Sequence, residues 1–257
     1  MSLRRSMKIW DRLAHMDPMW AILSESGKTQ NRWNAEEFFA SGRREIGELL
    51  GAVVESGFPL RRGTALDFGC GIGRLTQALC EHFTACEGID ISASMIDLAN
   101  RYNRHPEGCT YLHNPRPDLG CLAEDRYDFV YSAIALQHIE PQYAAQYIAE
   151  FVRVLAPGGL AIFQLPSERK ATHRPEQFLG SLRAKLLLRS RAERLLRLLR
   201  FRRRPDDLIV MYGIPQAEVR AIITRAGGEL IQVRDDDSAG ENWISHQYWI
   251  TKPLRRD

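Results

Sequence analysis

Residues 64–74 read TALDFGCGIGR. Thr64, Ala65, Leu66 and Phe68 make a short, largely apolar run interrupted by one carboxylate, Asp67, and the run ends on glycines 69, 71 and 73. This pattern predicts a buried strand, a tight loop and then a helix. Glycines so closely spaced serve a backbone that turns sharply and lets a ligand reach its amides, because a Cβ there would clash or forbid positive φ. Leu75, Ala78, Leu79 and Phe83 follow at helical spacing, so the amino end of a helix, with its free N–H groups, points at whatever lies over the loop.

Two phosphate-binding alternatives fail on spacing. A dinucleotide fingerprint needs glycines at its first, third and sixth positions, and counted from Gly69 the sixth is Arg74. A nucleotide-triphosphate loop needs Gly-Lys-Ser/Thr at its end, which is absent. The stretch Asp67-Phe68-Gly69-Cys70-Gly71-Ile72-Gly73 instead resembles motif I of the class I S-adenosylmethionine-dependent methyltransferases. A second short strand, Ala85 to Asp90, ends in a carboxylate about 20 residues past the loop, where an acidic side chain can accept both ribose hydroxyls of a nucleoside. Ser92 can cap the next helix, and Met95, Leu98, Ala99 and Tyr102 follow at core spacing.

The resemblance implies a Rossmann-like fold, with seven strands in a mostly parallel sheet, helices on both faces and an antiparallel last strand. It also implies S-adenosylmethionine as methyl donor and S-adenosylhomocysteine as product. Asp67 and the loop residues Gly69, Cys70, Gly71 and Gly73 would hold the amino-acid part of the donor, Asp90 the ribose, and Ile91 and Met95 the adenine face. Cys109 to His113 reads as the third strand. The family places an acidic and a small apolar residue shortly after it against adenine; here Asn114 comes first, and Asp118-Leu119 match in type beyond Pro115 and Pro117. The fourth strand, Tyr127 to Ser132, brings Ser132 to the cofactor, and Ala133 to Ile139 resembles the segment where donor and acceptor meet in the small-molecule branch. The Asn/Asp-Pro-Pro-aromatic signature of enzymes that methylate nucleic acid bases or glutamine is missing there.

A helix opening at Pro141, the stretch LAPGGLAIFQLP with a fifth strand from Leu160 to Leu165, a helix from Gln216 to Ala226 and strands from Glu229 to Arg234 and Trp243 to Lys252 complete an alternating α/β order. Ahead of the first strand, Trp10, Leu13, Met16, Met19, Trp20 and Leu23 fall near helical spacing. Asn34 with Glu37 opens a second helix, running to Glu55. Four regions result: a helical cap over 1–62, a cofactor-binding core over 63–166, a basic insertion over 167–205, and a closing helix and hairpin over 206–257. The cap reads either as a lid over the cofactor or as amphipathic helices packed on the sheet edge.

In 257 residues, 44% are hydrophobic and 26% charged, ordinary values for a globular chain. No run is long enough for a membrane span, no signal segment is apparent, and the five cysteines form no zinc or C-x-x-C spacing, which suggests free thiols in the cytoplasm. Net charge is +3, but residues 167–205 hold thirteen Lys or Arg against three Glu. Leucines recur at helical steps among those arginines, so the segment reads as basic amphipathic helix. It would present cations to an anionic acceptor such as a phosphorylated or nucleotide-linked sugar, lie on an anionic membrane carrying lipid-linked substrate, or be an ordinary insertion. Nucleic acid is disfavoured, because stacking aromatics are absent.

The reading that follows is methyl transfer to a hydroxyl of a small molecule or glycan. His138 is the candidate base, since it follows strand four and an imidazole titrates near neutrality; His15 and His246 have no placing motif. An amine acceptor, and a non-catalytic cofactor-binding protein at a membrane, are the alternatives.

Overall fold

The computed structural model describes residues 3–170 and 209–254. The basic segment expected over 167–205 lies outside the described residues from residue 171 onward. Seven strands form one sheet in the order β3-β2-β1-β4-β5-β7-β6. They are β1 (Thr64–Phe68), β2 (Ala85–Asp90), β3 (Cys109–His113), β4 (Tyr127–Ser132), β5 (Leu155–Arg169), β6 (Glu229–Asp235) and β7 (Trp243–Thr251). The pairs among β1 to β5 are parallel, whereas β7 runs antiparallel to β5 and β6. This is the expected seven-stranded arrangement, with the antiparallel strand last in the chain. β1 neighbours both β2 and β4, so the chain reverses its direction of travel across the sheet at that point. A parallel sheet binds ligands beyond the carboxyl ends of its strands at such a switch.

The central strands are apolar on both faces because both are covered. On one face, α6 (Pro141–Val154) and α7 (Gln216–Arg225) bury Phe151, Ile148, Val219 and Ile223 against Leu66, Val130 and Phe163. On the other, α3 (Ala35–Glu55) and α4 (Arg74–Leu79) pack Ile46, Leu50 and Leu79 on Ala65, Phe129 and Trp249.

Local chemistry sets the element ends. Asn34 caps α3 by accepting the Glu37 N–H at 3.3 Å, as the sequence predicts. The amino-terminal apolar pattern is interrupted at Asp17, which separates α1 (Leu3–Met16) from α2 (Pro18–Ile22), accepts the Trp20 N–H and precedes a proline at the first helical position. α4 is only six residues long, shorter than the pattern through Phe83 suggests. The chain leaves the helix after Leu79, and Phe83 stacks on Phe129 with ring centroids 5.4 Å apart. β5 extends on both sides of the expected Leu160–Leu165 core. It starts at Leu155, with an irregularity in its pairing to β4, and its far half continues because β7 pairs with it as far as Arg169. Among the described residues, no helix is long and apolar enough to cross a membrane.

A third apolar cluster joins the amino-terminal helices to the core. Leu13, Trp20, Trp33 and Phe38 enclose Ile72 of the glycine loop and Met95 of α5 (Ala93–Tyr102). The cap therefore sits directly over the carboxyl ends of β1 and β2.

Candidate functional site

A cavity enclosing about 930 Å³ of non-atom space, open solvent at its mouth included, lies at this switch point, a usual place for small-molecule sites. Its floor is the glycine loop. Gly69 and Gly71 line it with φ of 75° and 53°. A Cβ on Gly69 would collide with Ala135, and one on Gly71 would stand 2.5 Å from Ile22 Cδ1. Both positions therefore demand glycine for backbone conformation and for space. Gly73, the third of the series, caps α4 at φ 84°, where a Cβ would strike the Tyr111 hydroxyl. It shapes the loop without lining the cavity.

Asp90, at the end of β2, is in the wall. Its Oδ2 accepts the Gly71 N–H at 2.9 Å and its Oδ1 the Ser92 N–H at 2.8 Å. Burial raises its pKa, while the Ser92 and Gly71 amides pull it back. Ile91 and Met95 follow it in the wall. The Ser92 hydroxyl accepts the Met95 N–H and donates to Asp11 of α1.

Other expected residues stand behind the wall. Asp67 is 2% exposed and accepts the Thr76 hydroxyl at 2.6 Å; desolvation raises its carboxyl pKa to about 7. Cys70 is buried, with its thiol pKa raised by desolvation. Ser132 is fully buried with no partner for its hydroxyl, one residue before Ala133 of the lining. Asp118 and Leu119 do not reach the cavity. The Asp118 carboxylate accepts the Gly120 N–H, and the Leu119 backbone is tied to Glu150 and Arg153 of α6. Asn114, directly after β3, is the polar side chain that lines the cavity there. It is 5% exposed, its N–H donates to the Asp90 carbonyl, and its side-chain amide donates to the Asp118 carbonyl.

Further wall residues come from the turn after β4 and from α1. Ile134 has φ 59°, a costly conformation for a β-branched residue that persists where the surroundings impose it. It presses Ala135 against Gly69. His138 lies in the wall with Trp10, their rings edge to face at 5.5 Å. His138 Nδ1 is 3.1 Å from the Val210 carbonyl, and a carbonyl only accepts, so Nδ1 carries the proton and Nε2 keeps its lone pair. The Gln137 side-chain amide approaches that lone pair at 3.2 Å. Gln137 in turn accepts from Gln164 at 3.1 Å, and Gln164 reaches Ser245 at 2.6 Å. All three of these partners are buried. Desolvation lowers the His138 pKa to about 4, so the ring is neutral at pH 7. His15 lies against Ser94 and His246 against Asp235, and neither lines the cavity.

Sequence reasoning did not single out Ile22, Asn114 or Tyr143 of this wall. Asn114 had a positional signal, since it stands at the end of a strand pointing into the switch. The others lie on amphipathic helices, where a pattern gives the buried stripe but not which residue meets a cavity. Among the described residues, no Lys or Arg lines the cavity, and no group of His, Cys, Asp or Glu could hold a metal ion.

Fold and site together define an open α/β protein with a cavity at the switch point of its sheet. Residues 65–159 match the family described as methyltransferase domain. The chain is 29% identical over 145 residues to the ubiquinone biosynthesis O-methyltransferase of Coxiella burnetii, covering 54% of this chain and 58% of that one. It is 31% identical over 157 residues to the trans-aconitate 2-methyltransferase of Delftia acidovorans, covering 58% and 55%. The chain thus spans somewhat over half the length of these curated relatives. The crystal structure of magnesium protoporphyrin IX methyltransferase from Synechocystis with bound S-adenosylhomocysteine shares the fold at TM-score 0.59 and 16% identity, covering 96% of this chain and 97% of that one. Residues 65–159 are thus similar to a methyltransferase domain, and the described fold is one that solved methyltransferases share.

Proposed function

We propose that the chain transfers a methyl group from S-adenosylmethionine to a hydroxyl of a small molecule. The carrying observation is the cradle of Gly69, Gly71 and Asp90, which lines the same cavity as His138. The cradle fits the donor. Two positive-φ glycines leave space where a Cβ would not fit, and the Asp90 oxygens, each with one amide bond, keep further lone pairs for ribose hydroxyls. Ile91 and Met95 would face adenine, with Asn114 as the polar contact.

Bound there, S-adenosylmethionine supplies an activated sulfonium methyl. The chain's own contribution is positioning and dryness. Trp10, Leu3 and Ile22 close the cavity from the cap, and the Ile134–Ala135 turn meets Gly69 in its wall. A hydroxyl acceptor sheds a proton as its oxygen is methylated. The His138 Nε2 lone pair would accept that proton once the acceptor displaces the Gln137 amide. The name of the Coxiella relative, an O-methyltransferase, supports oxygen.

A neutral amine is the second reading, favoured by the weak basicity of His138, because an amine that arrives unprotonated needs no strong base. The expected anionic acceptor and membrane contact both rest on the basic segment, most of which lies outside the described residues. The described cavity walls supply no cation to either.

The test is calorimetric titration with S-adenosylmethionine, followed by radiolabelled methyl transfer to acceptors carrying only hydroxyls or only amines. One-site binding with label on the hydroxyl set supports the reading. Label on amines alone would move it to nitrogen, and no binding to nucleoside-free protein would refute it.

A further inference from the structure

Resting on the methyltransferase reading, we propose that the acceptor is an uncharged, hydroxylated aromatic ring, held between Trp10 and the Ile134–Ile139 turn with its hydroxyl at His138. If Asp90, Ile91, Met95 and Asn114 take the nucleoside, the space left for an acceptor is the remainder of the cavity, beside the Ile134–Ala135 turn that meets Gly69. Its walls there are Leu3, Trp10, Ile134, Ile139 and Tyr143, with Ser6, His138 and Glu140 as further polar groups. Trp10 reaches this part because its ring meets His138 at 5.5 Å, so an aromatic face stands beside the imidazole. Flat aromatic ligands gain from offset or edge contacts with such rings beyond the area they bury.

Charge and polarity exclude the other acceptor classes. A phosphorylated or carboxylated molecule would enter a desolvated space in which no described Lys or Arg is present, and an unpaired buried anion is strongly disfavoured. A free hexose brings about five hydroxyls, each one donor and two acceptors. The few polar side chains in this part leave most of them unpaired once water is expelled. A ring with one or two hydroxyls matches the supply: one hydroxyl for His138, and one for Ser6. Acidity points the same way. His138 is a weak base, its pKa lowered to about 4 by burial. A phenolic hydroxyl, with a pKa of about 10, ionises roughly five to six decades more readily than water, an aliphatic hydroxyl's nearest reference.

The test is calorimetric titration of the full chain loaded with S-adenosylhomocysteine, using 2-naphthol and glucose 6-phosphate as probes, on the parent and on Trp10→Ala, Trp10→Phe and Tyr143→Ala. Naphthol is expected to bind. Trp10→Ala should weaken it at least tenfold, and Trp10→Phe should stay within threefold of the parent. Glucose 6-phosphate should show no heat. Should Trp10→Ala fail to fold, Tyr143→Ala, on α6 and away from the cap, carries the same expectation of weaker naphthol binding. The proposal is overturned if naphthol does not bind, if its affinity is indifferent to both Trp10→Ala and Tyr143→Ala, or if glucose 6-phosphate binds in its place. S-adenosylhomocysteine affinity is measured first on the same sample. A parent that binds it but not naphthol sinks the aromatic acceptor and leaves the methyltransferase reading standing, whereas a parent that does not bind it sinks both.

Discussion

Asp90 is the residue on which the cofactor reading can be broken most cleanly. Its carboxylate already holds two backbone amides, Gly71 at 2.9 Å and Ser92 at 2.8 Å, so it shapes the loop and, on the proposed reading, would serve the ligand at once. Hydrogen bonds to a charged group contribute about 1.5–3 kcal/mol each. Two ribose hydroxyls on this carboxylate would therefore supply about 3 kcal/mol at the low end, and each 1.4 kcal/mol is a factor of about ten in affinity. Asp90→Ala should accordingly weaken S-adenosylhomocysteine at least about 100-fold. Asp90→Asn keeps one acceptor but turns an amide N–H₂ toward Gly71 or Ser92, and should cost about tenfold. Asp90→Ala frees both amides and Asp90→Asn one, at the cavity edge where water can replace the lost partner, so each should lower the melting temperature by only a few degrees, Asp90→Ala by more. Calorimetry read beside a thermal melt separates the two effects. Affinity within threefold of the parent in a folded Asp90→Ala protein would refute the assignment of the ribose to this strand end.

Other expectations follow from single contacts. Gly71→Ala should abolish cofactor binding, and adding Ile22→Ala should restore part of it, since the new methyl meets Ile22 Cδ1 at 2.5 Å; a double variant no better than the single would place the obstruction elsewhere. Glu45→Ala should destabilise the chain by about 3 kcal/mol in denaturant titration, because it strands the buried Arg74 guanidinium that Glu45 meets at 2.7 Å, and Glu45→Gln should cost less. The His138 pKa is lowered to about 4 from the ordinary 6.5. The unfolded chain therefore binds more protons at this site between those values, and stability falls as pH drops through that window. Asp67 is raised to about 7, so there the native state holds the extra proton, and stability falls as pH rises from about 4 to 7. The two windows overlap, so the slopes largely cancel in the parent, and melting temperature against pH should reveal them one at a time: Asp67→Asn leaves the loss toward acid, and His138→Gln the loss toward neutral pH. If His138 is the base, kcat/KM should be flat from about pH 5 upward on this account, and an inflection at 6.5 would contradict a desolvated imidazole.

The elements that position the site were legible because each carries a local cause. The glycine run, the carboxylate at the end of β2 and the Asn34 cap are short-range signals, and the structure has each where the spacing puts it. What was not legible depends on contacts distant in sequence. The true length of β5 is set by its partner β7, about 80 residues later. That Asn114 lines the cavity and Asp118 does not depends on how the Pro115–Pro117 loop leaves the sheet, and α6 ties Leu119 away from the cavity through Glu150 and Arg153. The lowered pKa of His138 was equally invisible, since it arises from burial by elements distant in sequence, which outweighs the opposing pull of the Val210 carbonyl.

The same dependence joins the cap to the cofactor end. Ser92 donates its N–H to Asp90, accepts the Met95 N–H on its hydroxyl and donates that hydroxyl to Asp11 of α1 at 2.7 Å. Asp11 also accepts the Ser94 N–H, which sets a carboxylate at the amino end of α5, where a negative charge is favourable. One residue therefore touches the carboxylate assigned to the ribose, the helix that follows it and the helix that closes the cavity with Trp10. If α1 swings away, the α5 amino terminus loses a partner, and if Asp90 is displaced, the anchor of α1 shifts with it. Asp11→Ala should thus loosen cofactor and acceptor together, although Asp11 is placed against neither. The measurement is the ratio of its effects on S-adenosylhomocysteine and naphthol affinity. A change confined to naphthol would mean that α1 closes the acceptor end alone and that the coupling through Ser92 carries no weight.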